Sequence, residues 1–158
     1  MAIYMQFDGI NGDVTETKHT NWVELNSCQF GVGRGISSTV GSSAERESTA
    51  PSISEIEVTK ENDVASGKLM QEALSGHGKN VKIDFTRTYK DSQEIYLTLA
   101  LTNVIISGYS HSSSGERPIE SLSLNFTKFQ FTTNQMKPDG TQGDPDHVIY
   151  DLSTAKTS

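Results

Sequence analysis

Residues 92–131 read SQEIYLTLALTNVIISGYSHSSSGERPIESLSLNFTKFQF, and their pattern decides the fold. On the first arm Ile95, Leu97, Leu99 and Leu101 hold alternate positions, and beyond Thr102 and Asn103 the apolar set resumes at Val104 and Ile106. On the second arm Leu122, Leu124 and Phe126 give way to Phe129 and Phe131 across Thr127 and Lys128. Strand side chains alternate between faces, so a slip of phase turns the remaining apolar residues into water unless the strand bulges or passes to another packed sheet. Two such slips, on long arms joined by a short polar loop, predict a rolled or closed β-structure.

Working outward, the same alternation marks further strands. Ile3, Met5 and Phe7 share a face in residues 3–8, with Asn11-Gly12 as the closing turn. In residues 22–30, Val23 and Leu25 share one face while Cys28 and Phe30 take the other. Residues 53–59 place Ile56 and Val58 inward and Glu57 outward, and Val81, Ile83 and Phe85 repeat the pattern. Residues 66–75 form the one helix: Ser66 as cap, Leu69, Met70, Ala73 and Leu74 on one side, and Gly76 as a left-handed stop. Pro138-Asp139-Gly140 and Asp144-Pro145 predict turns before a last strand over 148–152. The expectation is a mainly β fold, a rolled antiparallel β-barrel or two packed sheets with one short flanking α-helix. It occupies residues 1–158 as a single domain, with an extended loop at 31–51 and a polar tail at 153–158.

A chain of 158 residues with 34% hydrophobic content suits one domain with a real core. Its net charge of −7 argues against phosphate-backbone binding, which needs clustered Lys and Arg, so nucleic acid is excluded as a partner. The first eight residues carry neither a basic nor a continuous apolar region of the signal-peptide type. No run reaches the roughly 20 apolar residues of a membrane helix, so no membrane insertion is expected. Cys28 is the single cysteine, forms no intrachain disulfide and reads as a small buried hydrophobe.

Motifs that carry chemistry fail on inspection. Gly31-x-Gly33-x-Gly35 lacks the Gly-Lys-Ser/Thr of a P-loop and the spacing of a dinucleotide loop. Gly108-Tyr109-Ser110-His111-Ser112 ends in Ser where a nucleophile elbow needs Gly, and no helix follows it. His19, His77, His111 and His147 have no partner at ligand spacing, and Asp144-Pro145-Asp146-His147 lacks the Gly and Glu of a calcium loop. Catalytic, metal and cofactor residues are therefore expected to be none, and the chain is read as a non-enzyme. The loop over 31–51 is long, without sustained period and without chemistry, which tilts it toward protein contact. Ser42, Ser43 and the charge run Glu45-Arg46-Glu47 are its candidate contact residues. The alternative reading is a stand-alone carbohydrate- or protein-binding β-sandwich module, for which the single Trp22 is poor provision.

Several segments together resemble the Hcp family, the tube proteins of the bacterial type VI secretion system. They are residues 3–13, residues 19–34 around Trp-Val-Glu-Leu-Asn-Ser, Ser-Glu-Ile-Glu-Val-Thr-Lys at 54–60 followed by Ala-Ser-Gly-Lys-Leu-Met at 65–70, residues 95–107, and Glu-Ser-Leu-Ser-Leu-Asn-Phe at 120–126. The chain departs from the pattern at Gly67, where many relatives carry Pro, and at Cys28 and Phe30, positions often filled by Trp. The resemblance implies homo-hexameric rings stacked into a hollow conduit, with a VgrG-like spike, a contractile sheath and effector proteins as partners. It implies synthesis in the bacterial cytoplasm and export through the type VI system without a signal peptide. It also makes the 31–51 loop a ring-stacking element, and Ser27, Gln29, Ser113 and Ser114 candidates for the channel wall and its mouth.

Overall fold

The structure, a computed structural model, describes residues 1–38, 46–48, 50–136 and 142–157. The chain begins with β1 (Ala2–Phe7), β2 (Val23–Leu25) and β3 (Ser27–Gln29). Four short strands follow: β4 (Val32–Gly33), β5 (Ile36–Ser38), β6 (Arg46–Ser48) and β7 (Ser52–Ile53). Then come β8 (Ile56–Glu61), α1 (Ser66–Ser75), β9 (Lys79–Tyr89) and β10 (Ser92–Ser112). The chain ends on β11 (Ile119–Asn125), β12 (Lys128–Met136), β13 (Gln142–Asp151) and β14 (Lys156–Thr157).

The 21 residues of β10 join two sheets. Its first half lies between β9 and β12, with Leu99 opposite both Ile83 and Phe131, and this sheet runs on through β1 and β2 on one side and β13 and β14 on the other. Its second half pairs with β11, and the second sheet continues through β8 to β3. The register against β9 shifts between Leu101 and Val104, where Asn103 takes φ 57°. Leu101 and Val104 are both buried across the shift, at 2% and 1% exposure. That is the first phase slip of the sequence. The second is a transfer: the chain leaves the second sheet after Asn125 and enters the first at Lys128. A third crossing divides the expected strand over 22–30 at Asn26, whose N–H donates to Thr59 O at 2.7 Å. The two sheets thus roll around one core that contains Met5, Ile56, Val58, Ile83, Leu99 and Leu124, each fully buried.

Several local expectations are corrected. The turn after β1 is at Asp8 and Gly9, closed by Ile10 N–H on Phe7 O, and not at Asn11-Gly12. Gly12 serves a close approach instead, since a Cβ there would lie 2.3 Å from Trp22 O. Gly12→Ala is accordingly expected to displace the 11–22 segment, cost about 1–3 kcal/mol and red-shift Trp22 emission; an unchanged emission spectrum would contradict the contact. Helix α1 spans the expected residues, but Ala65 is the N-cap residue and Ser66 is already helical. The Ser66 hydroxyl is engaged elsewhere: it accepts from Asp63 N–H at 2.9 Å and Lys60 Nζ at 3.2 Å, and donates to Glu120 Oε2 at 2.8 Å. Gly76 is extended, φ −68°, and ends the helix with its N–H on Glu72 O. Of the apolar stripe, Leu69 is fully buried while Met70 and Leu74 are 46% and 81% exposed.

The extended loop carries structure of its own. β4 pairs with β7 and β5 with β6, so the chain leaves the second sheet and returns as a two-stranded ribbon. Ser42, Ser43 and Glu45 lie outside the described residues; Arg46 and Glu47 are in β6. The turn expected at Pro138-Asp139-Gly140 is also outside them. Asp144-Pro145 is within β13 and does not precede it. Proline is tolerated there because β14 covers β13 only at Tyr150 and Asp151, leaving an edge at Pro145 that needs no donor. The polar tail gains that one short ladder.

Candidate functional site

The second sheet presents two chemically opposed faces. Facing inward, Cys28, Val58, Leu122 and Tyr109 stand in one cross-strand row from β3 to β10. One residue along, Ser27, Thr59, Ser121 and Ser110 form a row on the opposite face, and one residue beyond Cys28 on its other side, Gln29, Glu57, Ser123 and Gly108 form the next. Because partners in register share a face, the sequence alternation Ser-Cys-Gln becomes a hydroxyl-rich wall on one side and core on the other. Ser27 Oγ lies 2.5 Å from Thr59 Oγ1, and Ser107 Oγ donates to Glu55 Oε2 at 2.6 Å while lying 3.2 Å from Ser123 O. Ser27 and Gln29 are exposed, while Cys28 and Phe30 pack against the core. Burial pushes the Cys28 thiol up to about 12, which removes it as a nucleophile at neutral pH.

Ser113 and Ser114 are exposed in the loop between β10 and β11, just past the pair Ser112 and Ile119. They therefore sit at the margin of the sheet whose face carries Ser27 and Gln29. Among the described residues this sheet also ends on two incompletely paired strands: β3 has only β8, and residues 105–112 of β10 have only β11. Such edges present rows of free N–H and C=O groups and are natural places for another chain to add.

A buried ionic cluster fixes α1 to this sheet, and strand alternation alone did not single it out. Lys60 and Glu120, neighbours on β8 and β11, are each fully buried with Nζ and Oε2 2.5 Å apart. Lys60 Nζ also meets Asp63 Oδ1 at 2.9 Å and Glu61 O at 2.8 Å. Ser66 and the Tyr109 hydroxyl complete the Glu120 carboxylate. Burial pushes Glu120 up, but donation from Lys60, Tyr109 and Ser66 outweighs it and leaves the carboxyl below its ordinary range. Tyr109 is raised by burial and by Glu120, so it stays a donor. The signal in the sequence was there: Lys60 continues the inward phase of Ile56 and Val58, and Glu120 that of Leu122 and Leu124.

Beside the cluster an open cleft of about 580 Å³ is lined by Asp13, Glu16, Glu24, Glu61, Asp63 and Arg117, among others. Arg117 pairs with Glu61 at 3.2 Å. No three His, Cys, Asp or Glu side chains among the described residues are placed to hold a metal ion, and no helix among them is long and apolar enough to cross a membrane.

The fold is thus a rolled antiparallel barrel that carries one polar sheet face, open strand edges and a paired ribbon. The model of the family described as "Type VI secretion system effector, Hcp" matches residues 4–133, and the chain belongs to that family, the tube subunits of type VI secretion. Solved structures agree on the fold. One described as a type six secretion system protein superposes with a TM-score of 0.90 at 22% identity, covering 99% of each chain. Hcp1 from Salmonella typhimurium gives 0.77 at 21% identity, over 99% of this chain and 98% of that one. A type VI secretion system effector from Yersinia pestis gives 0.73 at 23% identity, over 94% and 98% respectively. No curated protein matches the sequence.

Proposed function

We propose that six copies of this chain close into a ring, that rings stack into the type VI conduit, and that the β3–β8–β11–β10 sheet turns its polar face to the channel. The observation that carries this reading is the hydroxyl-rich wall containing Ser27 and Gln29 on a family tube subunit. A mainly polar wall, with Ile105 and Ile119 its exposed apolar residues at either end of the β10–β11 ladder, lets cargo pass instead of holding it. Ser113 and Ser114 then stand near the channel mouth. Ring closure needs two different complementary surfaces per protomer, and the open edges of β3 and β10 are suited to that head-to-tail contact. A VgrG-like spike, a sheath and effector proteins are the remaining partners, and the route runs from cytoplasm to exterior.

The 31–51 segment, whose described strands pair β4 with the adjoining β7 and β5 with β6, is assigned to contacts between rings. Two-stranded ribbons are marginal on their own, and Val32 and Ile36 are exposed at 62% and 54%, so another surface is required to cover them. Purified protein is expected to show a ring mass by light scattering and sixfold annuli by negative stain. Reversing the charges of Glu45, Arg46 and Glu47 together should leave rings and abolish tubes. A monomer at high concentration overturns the ring, and tubes that survive the reversal overturn the stacking role of the ribbon.

A further inference from the structure

The inner face of the first sheet does not end on apolar residues. On β9 the buried phase of Val81, Ile83 and Phe85 continues to Arg87, so the residue beyond the last core layer is a cation. On the neighbouring strands Phe85 stands opposite Leu97 and Leu97 opposite Thr133, which places Thr133 on the same face. Tyr96 sits at the register shift between Ile95 and Leu97, its ring 6.3 Å from that of Phe85. Arg87, Tyr96 and Thr133, together with Met1, Asn134 and Gln135, line an open cavity of about 520 Å³. No Asp or Glu lines it.

A guanidinium carries five N–H donors and accepts nothing. That of Arg87 makes no hydrogen bond or ion pair among the described residues, and its Nε is buried without an acceptor. A donor that has left water and found no partner is costly, so the arrangement is complete only when an acceptor arrives. The internal counter-ion at hand is Glu94, opposite Arg87 in the β9–β10 ladder. It is engaged elsewhere: Ser92 Oγ donates to its Oε1 at 3.0 Å, and Lys18 Nζ lies 3.8 Å from its Oε2. Asn134 spends its amide on Ile95 O at 3.3 Å, which leaves the Tyr96 and Thr133 hydroxyls as the further donors of the wall.

We propose that this cavity is a carboxylate site, in which Arg87 supplies the charge and the hydroxyls of Tyr96 and Thr133 orient the ligand. A carboxylate accepts through two coplanar oxygens that match the guanidinium fork, and its single charge balances the one cationic side chain of the wall. A phosphate, with three oxygens and up to two charges, calls for more cations than the wall provides. The carboxylate comes either free from solution or from an acidic side chain on a second copy of the chain, which carries 20 Asp and Glu residues. The site belongs to the first sheet and stands whether or not the second sheet lines a channel.

The test follows the Arg87 side chain on the whole protein. Labelling with nitrogen-15 arginine gives Nε–H signals for the four arginines of the chain, and that of Arg87 is identified by its loss in Arg87→Lys or, should that variant not fold, by backbone-linked assignment. Sodium acetate, added at constant ionic strength against sodium chloride, is expected to move this signal to saturation with a half-point in the millimolar range. Tyr96→Phe should weaken the response about fivefold, the loss of one hydrogen bond. Acetate should also raise the melting temperature of the parent chain above its value in chloride, and not that of Arg87→Lys, which keeps the charge but loses the fork. Without acetate, a displacement of the signal that grows with protein concentration and that acetate reverses assigns the carboxylate to a second copy. A signal that ignores concentration and answers to acetate assigns it to a free carboxylate. A signal that answers to neither overturns the site. A response to acetate only in Glu94→Gln overturns it too, because Glu94 then already fills the cavity.

Discussion

Lys60→Ala is expected to destabilise the fold by about 3–5 kcal/mol, because it strands the Glu120 carboxylate, fully buried, without its countercharge. The loss is that of an orphaned ion, and the pair itself contributes far less. Replacing both partners, as in Lys60→Met with Glu120→Leu, should therefore recover most of the deficit, leaving Tyr109 and Ser66 short of an acceptor as the residual cost. Urea unfolding of the two single variants and the double variant measures the coupling directly. Roughly additive losses would show that the two side chains act separately. The pH dependence gives a second reading. Glu120 is held below its ordinary range, so its contribution persists through the usual carboxylate titration and disappears as pH falls through the depressed value. Lys60→Ala should lose stability at neutral pH while narrowing its difference from the parent in acid, where Glu120 takes a proton.

The same cluster shows what the sequence discloses and what it withholds. Period-two alternation located the long strands and both phase slips, because burial on one face leaves a pattern that only a bend can interrupt. The helix bounds were legible for a similar reason, since the run Leu69 to Leu74 is bracketed by small polar residues. Its caps were not, because Ser66 Oγ accepts from Asp63 N–H and from Lys60 and gives its proton to Glu120, which lies 54 positions away in sequence. The pairing of β4 with β7 and of β5 with β6, in and beside the 31–51 segment, was missed. These strands are only two or three residues long, too short for alternation to leave an imprint of the ladder that β4 makes with β7. On the candidate channel wall, alternation gave Ser27 and Gln29 their side of the sheet. Only cross-strand register supplied Thr59, Ser121 and Ser110 as their row.

The bend that links the sheets sets the second large expectation, a loss of about 2–4 kcal/mol for Gly78→Ala. Two separable causes act there. Gly78 takes φ +96°, which strains any residue with a Cβ, and that Cβ would lie 2.0 Å from Oδ1 of Asn103. Asn103 is itself left-handed at φ 57°, a conformation asparagine tolerates and β-branched residues resist. Asn103→Gly keeps the bend and removes the obstructing amide. The double variant should therefore recover the steric part of the Gly78→Ala loss and retain the φ strain. Asn103→Val, in contrast, should weaken the bend by itself, by about 1–2 kcal/mol. If Gly78→Ala proved as damaging in the Asn103→Gly background as in the parent chain, the close approach would not be what glycine serves at this position. The register shift between Leu101 and Val104 would then rest on backbone strain alone. Val104 at 1% exposure makes the bend matter to the core: a strand that failed to turn at 102–103 would present Val104 and Ile106 to water and separate the two sheets that β10 joins.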